Sequence, residues 1–310
     1  MFSKDIDILC MGEAMVEFTR VEDPTGRPLY LRGLGGDTSN CAISAARQGA
    51  NVGYLSAVGK DQFGRIALDV WLAEGVDVAG VMIDVDAPTG VYFIEPEPEG
   101  RNFTYYRSGS AASKISACKL PYSLLEQASI FHLSGISQAI SETAREATFA
   151  AIDIVKKNNG KISYDTNLRL NLWSLDDARS TINMTAELTD ILLPSLDEAK
   201  ILTGLEDLED IVEYYLAFNP EILALKCGEK GAVVAFAGKQ EHIPALKVAA
   251  VDASGAGDAF DGAFLARIVA GDNPFNAGRY AVAASGISVQ GYGAVTAIPT
   301  QQQVLLALSE

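Results

Sequence analysis

The stretch that decides the fold reads Val251-Asp252-Ala253-Ser254-Gly255-Ala256-Gly257-Asp258-Ala259-Phe260. An apolar segment over 242–251, which we interpret as a strand, precedes the glycines, and helical spacing over 259–269 follows them. Glycines let a ligand approach the backbone closely, and the first turn of a helix points free N–H groups at an anion. The stretch therefore predicts a strand, a loop and a helix that together bind an anionic group.

Asp258 is the most informative residue of this stretch. A carboxylate at the start of the helix can accept a proton from an attacking hydroxyl while the neighbouring N–H groups stabilise charge on a transferred phosphoryl group. A simpler interpretation is that Asp258 is a first-turn acid that interacts favourably with the helix dipole. For an isolated Gly-x-Gly-Asp we would favour the simpler interpretation, so the rest of the chain has to decide.

Short apolar strands and helices alternate through most of the chain. We predict strands at 6–12, 52–58, 130–133, 161–164, 191–193 and 222–225, and helices at 37–48, 63–74, 142–157 and 175–188. Continuous apolar strands between helices are typical of a parallel sheet covered on both faces. A hairpin over 16–34 and a strand pair at 89–95 and 102–107 interrupt this rhythm and predict a small β layer beside the α/β body.

Polar side chains follow several predicted strands. Because ligands of open parallel sheets sit at the carboxyl ends of the strands, the loops at 165–169 and 195–198 are expected to open onto one edge. Asn167 and Glu198 could hold Mg²⁺ through water, since Mg²⁺ prefers oxygen ligands and keeps part of its hydration shell. Alternatively, Glu198 is a first-turn acid of a helix, and Arg169 simply pairs with a carboxylate.

Three further segments carry candidate binding residues. In Gly35-Gly36-Asp37-Thr38-Ser39-Asn40, Asp37 and Asn40 could bind sugar hydroxyls or cap the following helix. Tyr105 and Arg107 share one face of a strand and suit a carboxylate, although an exposed edge strand would look the same. The segment 226–232 predicts a tight turn whose backbone and lysine are available to nucleotide phosphates, or an ordinary hairpin turn.

Composition excludes several functions. A net charge of −16 over 310 residues disfavours nucleic acid as a partner. No apolar run approaches the ~20 residues that a membrane span needs, and the first residues do not resemble a signal peptide, so we expect a cytoplasmic protein. Neither a P-loop nor a G-x-G-x-x-G after the first strand is present. His132 and His242 are too isolated for a histidine-based site.

Together these segments resemble the ribokinase-like (PfkB) family of carbohydrate kinases, and the resemblance covers essentially the whole chain. Gly-Gly-x-x-x-Asn at 35–40 and Asp-x-x-Gly-Ala-Gly-Asp at 252–258 occur in the order typical of that family. The resemblance implies one α/β domain over 1–310, with a mostly parallel central sheet flanked by helices. It also implies a β lid formed by about 14–34 and 89–108, and dimers formed through the lids.

Within the family, the chain is most similar to kinases of the sugar acid 2-keto-3-deoxygluconate, on the segments 35–40, 105–107, 132–136 and 165–173. This implies ATP and Mg²⁺ as cofactors and a small sugar acid as substrate, phosphorylated at its 6-hydroxyl. Some relatives also need K⁺, and Asp252 would lie near that ion. Kinases of neutral sugars such as fructose are the nearest alternative, and a non-catalytic sugar-binding regulator is a remote one.

The resemblance also implies residue roles. Asp258 would be the base, and Gly255, Ala256 and Gly257 would form the anion hole. The substrate would contact Gly35, Gly36, Asp37, Asn40, Tyr92, Tyr105, Arg107, Arg169 and Asp258. The nucleotide would contact Asn167, Ser195, Lys226, Gly228, Gly231, Gly255 and Gly257. Ser195 stands where the family usually has asparagine, and Ser254 stands where threonine is common.

Overall fold

The computed structural model describes residues 6–23, 25–97 and 100–309. Its strands are β1 (Ile6–Met11), β2 (Met15–Glu22), β3 (Pro28–Gly35), β4 (Val52–Gly59), β5 (Asp77–Asp84), β6 (Val91–Glu97), β7 (Gly100–Tyr106), β8 (Ala128–Ser134), β9 (Lys161–Asp165), β10 (Ile191–Leu192), β11 (Ile222–Lys226), β12 (Ala232–Phe236) and β13 (Lys239–Ile243). Its α-helices are α1 (Asp37–Arg47), α2 (Gln62–Ala73), α3 (Tyr122–Gln127), α4 (Gly135–Ala139), α5 (Glu142–Lys157), α6 (Leu175–Ala186), α7 (Leu196–Thr203), α8 (Leu208–Leu216), α9 (Ala256–Val269), α10 (Pro274–Ser288) and α11 (Gln301–Ser309).

The larger sheet has the strand order β13-β12-β11-β10-β9-β8-β1-β4-β5. Pairing is parallel from β11 to β5 and antiparallel only where β12 and β13 are added at one edge. Helices cover both faces of this sheet, so the predicted mostly parallel α/β fold is confirmed.

Neighbouring residues of the central strands pack into different cores. Ile8 belongs to the core that includes residues of α1, α9 and α10, whereas Leu9 belongs to the core that includes residues of α5 and α6. Ile191 and Leu192 divide in the same way. Successive side chains of a strand point to opposite faces, so a strand with helices on both faces must be apolar at every position.

The structure corrects two of the predicted elements and adds strand β5, which the sequence analysis does not predict. The predicted strand over 242–251 is wrong beyond Ile243, because residues 244–250 form no strand and Leu246 packs against Gly286 of α10 instead. Helix α9 begins at Ala256, three residues before the predicted start, so Asp258 lies in its first turn.

The smaller sheet has the order β3-β2-β6-β7 and covers the carboxyl edge of the larger one; we call it the lid. Strands β2 and β3 form the predicted hairpin, and β6 pairs with β7 in antiparallel and with β2 in parallel orientation. Phe18 of β2 stacks on Phe93 of β6 with ring centroids 5.2 Å apart, and it also contacts Phe63 of α2. The second contact joins the lid to the body.

Glu13 lies where the chain enters the lid, and Gly36 lies where it leaves β3. Gly36 has a φ of 137°. A Cβ atom there would overlap the carbonyl oxygen of Glu13 and lie 2.9 Å from the Cα atom of Ala14. The segment that enters the lid at Glu13 and the segment that leaves it at Gly36 can therefore be in contact only because residue 36 has no side chain.

No helix among the described residues is long and apolar enough to span a membrane.

Gly36→Ala should destabilise the protein by at least about 2 kcal/mol, because it adds a backbone overlap to an unfavourable φ. Gly75→Ala is the matched control: its φ of 76° is also positive, but nothing lies within 4 Å of the added methyl group. The control should cost only about 1 kcal/mol. Urea unfolding measures both free energies, and equal losses for the two variants would contradict the proposed overlap.

Candidate active site

A cavity of about 700 Å³ lies between the lid and the carboxyl edge of the larger sheet. It gathers residues that are far apart in the sequence, from the lid, from the loops after β1 and β9, and from helices α1, α7 and α9. The predicted site residues on its wall are Gly36, Asp37, Asn40, Tyr92, Tyr105, Arg107, Asn167, Arg169, Glu198, Gly255 and Asp258.

The N-terminus of α9 faces this cavity. Gly255 precedes the helix in a left-handed conformation, with φ of 73° and ψ of 7°, and no side chain caps the helix. Gly262 allows α9 to approach α1 closely, since a Cβ atom there would overlap the carbonyl oxygen of Cys41. The close approach lets Asn40 of α1 donate a 2.8 Å hydrogen bond from Nδ2 to Asp258 Oδ2.

The Asp258 carboxyl is held in a state suited to taking up a proton. Its pKa is raised to about 7, because burial in the cavity wall and the negative charge of Asp37 together outweigh the hydrogen bond from Asn40, which lowers it. A carboxyl group with a pKa near neutrality exchanges a proton readily at physiological pH.

Three acceptor oxygens around Asp258 have no hydrogen-bond partner among the described residues. They are Asp37 Oδ1, Asn40 Oδ1 and Asn167 Oδ1, and all three are buried. Asp37 uses its other oxygen to accept from Ser134 Oγ and from Asn167 Nδ2. Buried acceptors without donors are costly, so this part of the cavity fits a ligand that supplies hydroxyl groups or a hydrated cation.

Two arginines face the cavity, and each already has a carboxylate partner. Arg107 donates from Nε and Nη2 to Glu13 Oε2, at 2.7 and 2.5 Å. Arg169 donates from Nη1 to Glu198 Oε1 at 2.8 Å. Among the described residues this leaves Nη1 of Arg107, and Nε and Nη2 of Arg169, to donate to a ligand.

Aromatic residues of the lid form the opposite wall. Tyr92 and Tyr105 stack with ring centroids 5.6 Å apart, and the Tyr92 hydroxyl donates to Glu17 Oε2. Gly35 is not on the cavity wall. Its role is to admit the Tyr92 hydroxyl group, which would overlap a Cβ atom at residue 35.

The contacts of the Lys226 side chain differ from the prediction. Its side chain is not available to phosphates, because Nζ contacts Asp165 Oδ2 at 2.9 Å and both carboxyl oxygens of Asp261 at 2.9 and 3.0 Å. All three residues are buried. Sequence reasoning missed this because the partners lie 61 and 35 residues away along the chain.

Opposite charges decide the protonation of this cluster. Burial would lower the pKa of Lys226, but Asp165 and Asp261 outweigh it and the pKa is raised. Burial, the charge of Asp165 and its hydrogen bond raise the pKa of Asp261 far above its usual range, while Lys226 opposes the shift. We therefore assign a protonated Asp261, an ionised Asp165 and a charged Lys226.

The remaining predicted residues lie off the cavity wall. Ser195 precedes α7 and forms a bridge with Lys226, and Gly228 and Gly231 flank the turn between β11 and β12. Ala256 and Gly257 form the start of α9 behind Gly255. Asp252 accepts from the backbone N–H groups of Ser254 and Gly293 and so joins two loops near the cavity.

Glu13 and Glu17 line the cavity but were not predicted. Glu13 follows β1 directly after Gly12, so the rule that located the loops after β9 and β10 would have located it as well. His132 is buried in β8 and hydrogen-bonds Ser163 through Nδ1 at 3.0 Å. Burial lowers its pKa to about 4, so it is neutral.

Comparison with known proteins decides the family. The family model described as pfkB family carbohydrate kinase matches residues 5–301. The chain belongs to this family. As a pfkB carbohydrate kinase, it transfers a phosphoryl group to an alcohol group of its substrate.

The curated relatives of this pfkB kinase include enzymes of two specificities. The chain is 34% identical to the 2-dehydro-3-deoxygluconokinase of Thermoproteus tenax, covering 96% of this chain and 93% of the relative. It is 32% identical to Fructokinase-1 of Oryza sativa, covering 96% of each. A putative ribokinase II of E. coli in complex with ATP and Mg²⁺ has a TM-score of 0.89 at 28% identity, covering 98% of this chain and 99% of that one.

Asp37→Asn should lower the pKa of Asp258 below its value of about 7, because it removes a neighbouring negative charge. NMR titration of protein carrying ¹³C-labelled aspartate carboxyl groups measures this pKa, with Asp258→Asn assigning the signal. Asp176→Asn, at an exposed site on α6 outside the cavity, is the control. An unchanged or higher pKa in Asp37→Asn would show that Asp37 does not act on Asp258.

Proposed function

We propose that this pfkB kinase transfers the γ-phosphoryl group of ATP to the 6-hydroxyl of 2-keto-3-deoxygluconate. The observation that carries the proposal is the pair of arginines, Arg107 and Arg169, on the wall of a cavity that also contains Asp258. In a chain with a net charge of −16, an anionic substrate needs a local positive site of this kind.

Asp258 is the proposed base. Its pKa of about 7 lets it take the proton of the substrate hydroxyl as the oxygen attacks the phosphorus atom. The backbone N–H groups of Gly255, Ala256 and Gly257, at the start of α9, stabilise the negative charge on the phosphoryl oxygens. The lid over the cavity keeps water away from the reacting groups.

The unpartnered oxygens support one orientation of the proposed substrate. Asp37 and Asn40 accept hydrogen bonds from hydroxyl groups near Asp258. The carboxylate end then lies towards Arg107 and Arg169, which still have N–H groups to donate, with Tyr92 and Tyr105 packing against the carbon chain. This orientation brings the terminal hydroxyl, and not the acid, to the base.

The nucleotide and its metal are proposed to bind beside α9. The unpartnered Asn167 Oδ1 and the Glu198 carboxylate are oxygen donors that fit Mg²⁺ held through water. Mg²⁺ would neutralise charge on the phosphates, and the residues around Ser195, Gly228 and Gly231 would lie along the nucleotide. If the enzyme uses K⁺, we propose that the ion binds at the loop that contains Asp252.

A neutral sugar such as fructose is the second candidate. Both arginines already have carboxylate partners, Glu13 and Glu198, so neither requires a substrate carboxylate for charge balance. The relative from Oryza sativa, named a fructokinase, is nearly as similar to this chain as the one named a 2-dehydro-3-deoxygluconokinase.

A dimer formed through the lids is also proposed. Leu29, Leu31 and Tyr106 on lid strands are 48%, 61% and 65% exposed. Exposed apolar side chains on a sheet are typical of a surface that a partner covers.

The direct test measures ATP-dependent ADP release with 2-keto-3-deoxygluconate and with fructose, side by side, with Mg²⁺ and K⁺ present. Arg107→Ala should raise KM for the acid about 30-fold, because a charge-assisted hydrogen bond contributes roughly 2 kcal/mol, and should change KM for fructose little. Arg107→Ala/Glu13→Gln is the matched variant that leaves no unpaired buried carboxylate. Higher kcat/KM with fructose in the wild type would overturn the substrate assignment and leave the kinase mechanism intact.

Asp258→Asn should lower kcat about 10³-fold, since the amide cannot accept the proton but keeps the shape of the side chain. The same measurement of ADP release quantifies this loss, and circular dichroism checks that the variant is folded. A folded Asp258→Asn protein that retained most of its kcat would exclude Asp258 as the base.

A further inference from the structure

We propose that Lys226 is a positioning residue: its ammonium group locks the first two turns of α9 to the carboxyl edge of the large sheet, and so fixes the anion hole and Asp258. The inference rests on the proposed role of residues 255–258 and is independent of which sugar is the substrate.

Lys226 joins three separate segments. The residue ends β11, its partner Asp165 ends β9, and its partner Asp261 lies in α9. The contacts are 2.9 Å to Asp165 and 2.9 and 3.0 Å to Asp261, and all three residues are less than 10% exposed. A single ammonium group therefore connects two strand ends and one helix.

The connected part of α9 is the part that carries the site. Asp261 lies three residues after Asp258, which is about one helical turn. Gly257 is adjacent to the lysine as well, since a Cβ atom at that residue would lie 3.6 Å from Lys226 Nζ. Any movement of the ammonium group would therefore be transmitted to the N–H groups at the start of the helix.

The second connected segment leads to the other side of the cavity. Asp165 is followed by Asn167 and Arg169, both of which line the cavity. Lys226 thus keeps the loop after β9 and the start of α9 at a fixed separation. The transferred phosphoryl group and its acceptor would have to fit between these two segments.

Stability alone does not account for this cluster. Buried ion pairs are often no more stabilising than well-packed apolar residues, because removing the charges from water is costly. Among the residues that the structure describes, Lys226 is the one buried lysine. The free-energy cost of burying this charge is consistent with a cluster that holds the adjacent start of α9 in place.

Asp261→Ala and Asp261→Asn provide the first test. The alanine variant disconnects α9 but leaves Lys226 paired with Asp165, so the protein should fold. Its kcat should fall about 10-fold, because misplacement of the reacting groups costs rate more than binding, while KM for ATP and for the sugar changes less than 3-fold. Asp261→Asn keeps one carbonyl oxygen that accepts from Lys226, and its amide N–H can donate to Asp165 as the protonated carboxyl group does. This variant should restore kcat to within 3-fold of the wild type.

Lys226→Met/Asp165→Asn provides the second test. It removes the ammonium group without leaving an unpaired buried carboxylate. It should lower kcat at least 10-fold with both KM values within 3-fold of the wild type. Arg267→Met is the control, because it breaks an ion pair with Asp272 at the other end of α9 and should lower the melting temperature without changing kcat.

Wild-type kcat in a folded Asp261→Ala variant, or in the folded double variant, would overturn the proposal. Equal loss of kcat in Asp261→Ala and Asp261→Asn would also overturn it, because the asparagine retains the connection. All assays use the sugar that the wild type phosphorylates best. Failure of this inference can be told apart from failure of the proposed base. If only the role of Lys226 is wrong, Asp258→Asn is still inactive; if the base assignment is wrong, Asp258→Asn is active.

Discussion

Close packing of α9 against α1 is the constraint on which the site depends. The two helices meet at Gly262, where any side chain would overlap the backbone of α1. This approach brings Asn40 to Asp258 and points the start of α9 into the space below the lid. The contact also places Asp258 beside Asp37 of α1, whose charge adds to burial in raising the pKa of Asp258, and beside the unpartnered oxygens of Asp37 and Asn40.

Pairing of cations with carboxylates is the second constraint on the site. The chain carries 40 acidic and 24 basic side chains, yet the cations near the cavity all have specific partners. Arg107 pairs with Glu13, Arg169 with Glu198, and Lys226 with Asp165 and Asp261. Each pair fixes the direction of a cation and reduces its net charge, so geometry rather than total charge determines what this cavity can bind.

Local patterns predicted most of the fold and much of the site. The apolar strands and the helical spacing were sufficient for the parallel sheet, and the strand-end rule located Asn167 and Glu198 on one cavity wall. Partners were not predictable: Lys226 reads as a free lysine until the fold brings Asp165 and Asp261 to it. The prediction of a strand after Ile243 failed for a related reason, because Leu246 packs on α10 and the backbone of residues 244–250 forms no strand.

The pairing of β2 with β6 makes the lid depend on long-range contacts. These strands pair in parallel at Val16 and Val91, with β3, α1, β4, α2 and β5 between them along the chain. An isolated hairpin such as β2–β3 is only marginally stable, so the lid gains a stable sheet only when the distant strands β6 and β7 arrive. Pairings between residues so far apart in sequence carry a large loop-closure entropy and form slowly. The cover of the cavity therefore depends on a contact between residues 16 and 91, and a variant that weakens this pairing would open the cavity while leaving the large sheet intact.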